Sequence, residues 1–137
     1  MNKHDLIVDK MYNNDAFSKW LGIEIIDIKD GYCKLSMKVT KDMLNGFDIA
    51  HGGITYSLAD SALAFASNTH GKKCISIETS ISHVESCKEG DMLIAETKQL
   101  SKTKKIILYL ITIVNHNDKE VAFFKGTVYR TSKNWYI

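Results

Sequence analysis

The stretch Asn45-Gly-Phe-Asp-Ile-Ala-His51-Gly52-Gly53, running directly into Ile54-Thr-Tyr-Ser-Leu-Ala-Asp60-Ser-Ala-Leu-Ala-Phe-Ala-Ser67, decides how the rest of the chain is read. Two glycines open a segment whose apolar residues recur around the helical circumference, which predicts a long helix buried almost all round. One carboxylate, Asp60, falls well inside it, among Leu58, Ala59, Ala62, Leu63 and Phe65. Desolvating an unpaired carboxylate is expensive, so an aspartate kept at such a position points to a use. Exposed backbone N–H groups at a helix N-terminus, with a carboxylate nearby, suit acyl transfer.

Outward from this helix the pattern changes period. Leu6, Ile7, Met11 and Phe17 are helix-spaced, which predicts one or two short amphipathic helices in an N-terminal segment over residues 1–20. Ile23, Ile25, Ile26 and Ile28 then read as a strand that turns at Lys29-Asp-Gly31. Cys33, Leu35, Met37 and Val39 alternate with Lys34, Ser36 and Lys38, giving a half-buried partner strand and a hairpin. Beyond the helix, Asn68-Thr-His-Gly71 reads as a stop with Gly near the C-cap. Four strands are predicted after it: Cys74 to Val84, Met92 to Leu100, Ile106 to Asn115 and Val121 to Arg130. The short polar connections Lys88–Asp91, Ser101–Lys104 and His116–Lys119 suit an antiparallel meander. Ile106 to Val114 is apolar on both faces and belongs mid-sheet or at a subunit contact. The expected fold is α+β, an antiparallel sheet wrapped around one long central helix.

Bulk properties narrow the function. At 137 residues, without proline, repeat or low-complexity linker, the chain reads as one domain over 1–137. A net charge of +2 with 25% charged residues gives no strongly basic face, which argues against nucleic acid as partner. No apolar run approaches a membrane span, and charges break the N-terminal apolar residues too often for a signal peptide. Cys33, Cys74 and Cys87 form an odd set without metal spacing, and the histidines are scattered. A cytoplasmic protein with reduced thiols and no metal is expected.

The order of elements, with Asn45, His51-Gly-Gly53 and Ser57-Leu-Ala-Asp60, resembles the hotdog fold. Within it the chain is similar to the small acyl-CoA thioesterases of the phenylacetate-degradation (PaaI-type) group. The likeness runs from Phe17-Ser-Lys-Trp-Leu-Gly-Ile-Glu to Gly126-Thr-Val-Tyr-Arg130. It implies hydrolysis of an acyl-CoA without metal or redox cofactor, in a homodimer or homotetramer. Aryl-acetyl esters are the acyl group that family analogy puts first.

Each site residue has a structural and a chemical reading. Gly52 and Gly53 let the chain turn tightly. Without a Cβ they also let a ligand approach, and the resemblance implies that the Gly52 N–H receives the thioester oxygen. Asn45 is either a turn residue or, as the resemblance implies, a second donor to that oxygen. His51 either starts the helix, hydrogen-bonded to nearby backbone, or acts chemically by orienting Asn45 or by lying near the leaving sulfur. Asp60 is either satisfied by Ser57, Ser61 or an oligomer contact, or it activates a water as general base or attacks the acyl carbon itself. Ser76 matches a position where some relatives hold the water with Ser or Thr, with Ser80 and Ser82 as confusable neighbours and Glu78 on the same strand face as reserve. Lys88, Lys102 and Lys104 are solvated turn residues or partners for coenzyme A phosphates. His83 stands where relatives often carry an aromatic, a change that would reshape the acyl pocket.

Spacing adds a constraint. Asp60 lies eight residues beyond Gly52, about 12 Å along a helix. One carbonyl cannot accept a hydrogen bond from Gly52 while its carbon meets a water held by Asp60 of the same chain. If both serve one reaction, Asp60 comes from a second subunit. Two rivals remain at this stage. An acyl-thioester dehydratase of the same fold would pair a His with an acid, which this arrangement matches poorly. A non-catalytic acyl-CoA sensor usually carries a DNA-binding domain, for which the segment before Phe17 is too short.

Overall fold

The structure, a computed structural model, describes residues 1–136. Helices α1 (Lys3–Asn13) and α2 (Ala16–Trp20) lead into strands β1 (Glu24–Lys29) and β2 (Tyr32–Lys38). After a 3-10 turn at Lys41–Met43 come α3 (Gly52–Asn68), β3 (Lys72–His83), β4 (Met92–Lys102), β5 (Ile106–Val114) and β6 (Glu120–Asn134). Side-chain oxygens of Asn2 and Asp15 cap α1 and α2, accepting from Asp5 N and Ser18 N. Gly71, with φ +103°, takes the left-handed turn that the helix stop required, three residues past the end of α3.

The six strands form one antiparallel sheet in the order β1-β2-β4-β5-β6-β3. Its inner face presents Leu35, Met37, Ala95, Tyr109, Ile111 and Phe124, all at most 1% exposed. Against them lies α3, burying Leu58, Ala59, Ala62, Leu63, Phe65 and Ala66. Its alanines let the helix sit close to the sheet. At Gly126 the approach is tightest, because a Cβ there would fall 2.6 Å from Leu63 Cδ2. This is the hotdog arrangement: an antiparallel sheet wrapped on one long helix. Strand β5 lies mid-sheet, its alternate residues buried against α3.

Two expectations are corrected. Only β4, β5 and β6 form a meander. Strand β3 emerges from α3 at the far edge and pairs with β6, so the chain must return across the ends of β6 and β5 to begin β4. That return spans three strand spacings, about 14 Å, and uses residues 84–91 rather than a tight polar turn. The central helix is also less enclosed than its composition indicated. Tyr56, Ser57, Asp60 and Ala64 are only half-buried, forming a stripe on the side facing β3. Strand β3 itself is an outer edge, with Ile75 58% and Ile77 56% exposed. Among the described residues no helix is long and apolar enough to cross a membrane.

Candidate active site

The helix mouth is built by the loop before α3. The Asn45 backbone N–H donates to Ile49 O at 2.8 Å, and Asp48 takes a left-handed φ of 61° to close the turn. Asn45 Oδ1 accepts from Phe47 N at 2.8 Å and Ile49 N at 3.4 Å. The side chain is therefore the turn residue that local chemistry predicts. Its oxygen is occupied by the loop, while its Nδ2 has no protein acceptor among the described residues. The turn role of Asn45 is thus observed, and it leaves the Nδ2 free.

His51 caps α3: its Nδ1 accepts from Gly53 N at 3.1 Å, and its own N–H donates to Met43 O at 2.8 Å. Among the described residues no hydrogen bond links His51 to Asn45, because Asn45 is already held by its own loop. Capping engages the Gly53 N–H and leaves the Gly52 N–H without a protein acceptor among the described residues. The first orphan donor of the helix therefore stays open at the positive end of its dipole. Gly53 does not line the cavity beside Gly52, and its N–H is turned to His51.

Asn45 and Gly52 line one cavity of about 400 Å³. Its other wall comes from the end of β3, His83, and from the return connection, Val84, Glu85 and Cys87. Backbone pairing holds that wall in place, Ala50 N donating to Cys87 O at 2.7 Å. The His83 ring lies against the helix mouth, 3.3 Å from where a Cβ on Gly52 would be, and its Nε2 meets Thr55 Oγ1 at 2.5 Å. Thr55 Oγ1 also donates to Gly52 O at 3.0 Å. Thr55 and the segment 84–87 carry no motif. They reach the cavity only because β3 is an edge strand whose exit passes the helix mouth.

Asp60 sits elsewhere, in a smaller cavity of about 60 Å³ with Ser67, Cys74 and Ser76. Neither Ser57 nor Ser61 satisfies it: Ser57 Oγ donates to Gly53 O at 2.7 Å, and Ser61 Oγ meets Ser18 Oγ at 2.7 Å. The Asp60 carboxylate has no hydrogen-bond or ion-pair partner among the described residues. Burial pushes its pKa above the ordinary carboxylate value, and the carboxylate of Asp15 pushes it further. Ser76 shares this cavity, whereas Ser80 and Ser82 pair opposite Lys125 and Phe123 on the outer face. Glu78 is corrected. A bulge between Ser76 and Glu78 reverses the alternation, so Glu78 points outward toward Lys125, 4.0 Å away.

The chain thus gathers Asn45 with Gly52, and Asp60 with Ser76, but does not bring the two pairs together. α3 runs unbroken between them. The candidate lysines divide in the same way. Lys88 is next to Cys87 at the first cavity, while Lys102 ends β4 and Lys104 follows it in the next turn, about 33 Å off. Lysines of one chain cannot therefore share one phosphate across that length. Among the described residues no three His, Cys, Asp or Glu side chains converge as a metal site.

A hotdog sheet, an open N–H at the helix mouth and a free carboxylate in the helix body are the parts that thioester hydrolysis needs, and the chain's relatives agree with that class. Residues 47–122 match the model of the thioesterase superfamily. A putative esterase of Archaeoglobus fulgidus is 42% identical over 94% of this chain and 84% of its own length. The acyl-coenzyme A thioesterase PaaI of Escherichia coli is 40% identical over 88% of this chain and 86% of its own. The solved structure of the E. coli PaaI protein, from the phenylacetic acid degradation operon, superposes with a TM-score of 0.94 and covers 96% of both chains. The chain belongs to the thioesterase superfamily.

Proposed function

We propose that the protein hydrolyses acyl-CoA thioesters, aryl-acetyl esters first among them, at a site completed by a second copy of the chain. One observation carries the reading: a single straight helix holds an open N–H at Gly52 in one cavity and an unpartnered carboxylate at Asp60 in another. Two such helices, antiparallel across a two-fold axis, would bring the mouth of each beside the body of the other. The exposed outer edge of β3, along which Ile75 and Ile77 are uncovered, supports that dimer. Pairs of dimers would give a tetramer.

In this reaction the thioester oxygen accepts from the Gly52 N–H and the Asn45 Nδ2. Both donors are fixed beforehand by the helix and the loop, which suits them to the charge that develops on that oxygen. Asp60 of the partner subunit, helped by its Ser76, holds a water and takes its proton as the oxygen attacks the carbonyl carbon. Collapse of the tetrahedral intermediate expels the coenzyme A thiolate, which takes up the proton, and leaves the free acid. Its raised pKa suits Asp60 to act as base. His51 keeps the helix mouth in shape. Lys88 of one chain, with Lys102 and Lys104 of the other, would meet the coenzyme A phosphates.

The test is release of free thiol from short-chain, long-chain and aryl-acetyl CoA esters, with Asp60→Ala alongside. Turnover by the native protein and a loss of about 10²-fold or more in the variant are expected. Tight binding of esters without any thiol release would replace hydrolysis by a sensing role. Conversion of a 3-hydroxyacyl-CoA to its enoyl form would replace it by dehydration.

A further inference from the structure

The hydrogen bonds nearest Asp60 lead away from both cavities, toward the N-terminal segment. Asp15 caps α2 with both oxygens: Oδ1 accepts from Ser18 N at 2.9 Å and Oδ2 from Ser18 Oγ at 2.7 Å. The Ser18 hydroxyl, on a residue 1% exposed, also lies 2.7 Å from Ser61 Oγ across the contact between α2 and α3. A hydroxyl has one proton, and an ionised carboxylate only accepts. Ser18 therefore donates to Asp15, and Ser61 must donate to Ser18. The order is fixed as Ser61 to Ser18 to Asp15, and Ser61 is the neighbour of Asp60 in the chain.

We propose that Asp15 is a positioning residue for the hydrolytic reaction: through Ser18 and Ser61 it seats the N-terminal segment on the catalytic helix, and it sets a carboxylate two hydrogen bonds from Ser61, the residue next to Asp60, from where its charge tunes that base. The proposal rests on the reading of Asp60 as base. The Asp60 carboxyl is held above its ordinary value, burial being the larger cause and Asp15 the second. The other groups that face it act differently. On β3, the Cys74 thiol is held neutral by burial, and Ser76 carries no charge. On β6, the Arg130 guanidinium lies against Cys74, where it favours the thiolate, and it donates to Thr103 O and Lys104 O at 3.3 Å each. Glu78 is turned out to Lys125. Asp15 is thus the carboxylate that opposes ionisation of Asp60, and a segment outside the sheet sets the strength of the base.

The test replaces Asp15 by neutral residues in the full-length protein. Asp15→Asn removes the charge, and Asp15→Ser does so while keeping a good capping oxygen, so one variant serves if the other fails to fold. Two readouts are compared with the native protein: titration of the Asp60 carboxyl by ¹³C NMR, and kcat/KM for thiol release against pH. Both are expected to move to lower pH in the neutral variants. On the falling acid side of the native profile, a variant should retain about twofold or more of the native fraction of its plateau rate. Ser61→Ala, which breaks the tie but keeps the charge, should lower Tm and leave the acid limb in place. An Asp60 titration unmoved or raised in both neutral variants overturns the proposal, whatever the rate does. A titration that shifts in a protein whose rate has no acid limb supports the charge coupling and overturns the base role of Asp60 instead.

Discussion

If the two half-sites face each other across a subunit boundary, two dead variants should make a live enzyme. Asn45→Ala removes a donor to the thioester oxygen, a change expected to cost about 10²-fold or more. Asp60→Ala removes the base, at a cost of about 10²- to 10⁴-fold. The separation behind this expectation is structural: α3 is unbroken from Gly52 to Asn68, and the cavities holding Asn45 and Asp60 have no lining residue in common. Co-express the two variants with different tags, so that half of all dimers are mixed. In each mixed dimer one site unites an intact Asn45 with an intact Asp60, and the other site is doubly defective. Random mixing should then restore about a quarter of native specific activity. Dimers purified through both tags should reach about half. Thiol release at saturating ester measures this directly, with each variant alone as the baseline. If the site lay within one chain, every site in every dimer would carry a defect and mixing would restore nothing. Recovery no greater than the baseline of the separate variants would refute the reasoning.

Asp60→Asn should stabilise the protein at neutral pH. The folded-state pKa of Asp60 is raised, so its ionised form opposes folding, and that opposition grows as pH rises from the unfolded carboxylate value through the folded one. Because the group is half-exposed, the gain should be only about 0.5–1 kcal/mol, seen as a Tm higher by a few degrees at pH 7 and unchanged near pH 3; a lower Tm at pH 7 would contradict it. Gly126→Ala would press a methyl onto Leu63 Cδ2, 2.6 Å from the new Cβ, and should cost about 1–3 kcal/mol in urea denaturation. Adding Leu63→Ala should recover part of that loss, and strict additivity would show that the contact is not the cause. His51→Ala should cost about 1 kcal/mol through loss of the cap on Gly53 N, and His51→Asn should return most of it, as read from urea midpoints.

Where local pattern and burial coincide, the chain was readable in advance. The alternation Cys33, Leu35, Met37 places those three residues on the buried face of β2, and Ile106–Val114 is a central strand. The helix and its stop were equally legible, since both depend on residues close in sequence. What escaped reading depends on residues far apart. The placement of β3 at the far edge is decided by where α3 delivers the chain, and no composition signal marks it. The segment 84–87 fell at a predicted strand end and in the unassigned stretch before the next turn, yet it walls the cavity of Gly52. The bulge after Ser76 is one inserted residue, invisible to a period-two reading, and it alone separates the fate of Ser76 from that of Glu78. Ser18 and Ser61, 43 positions apart, look like ordinary helix serines until α2 is docked on α3.

The return connection over residues 84–91 has a further consequence. It is at once a spacer between two strands and a wall of the cavity at the helix mouth. A strand cannot gain or lose a residue without turning its side chains to the opposite face, but a connection obeys no such register. Its length and composition can drift while the sheet, the helix and both half-sites stay put. If the ester binds in that cavity as proposed, related chains with the same helix mouth can diverge in the acid they release through these few residues. Swapping this connection alone between relatives would be the economical way to move a substrate preference from one to another.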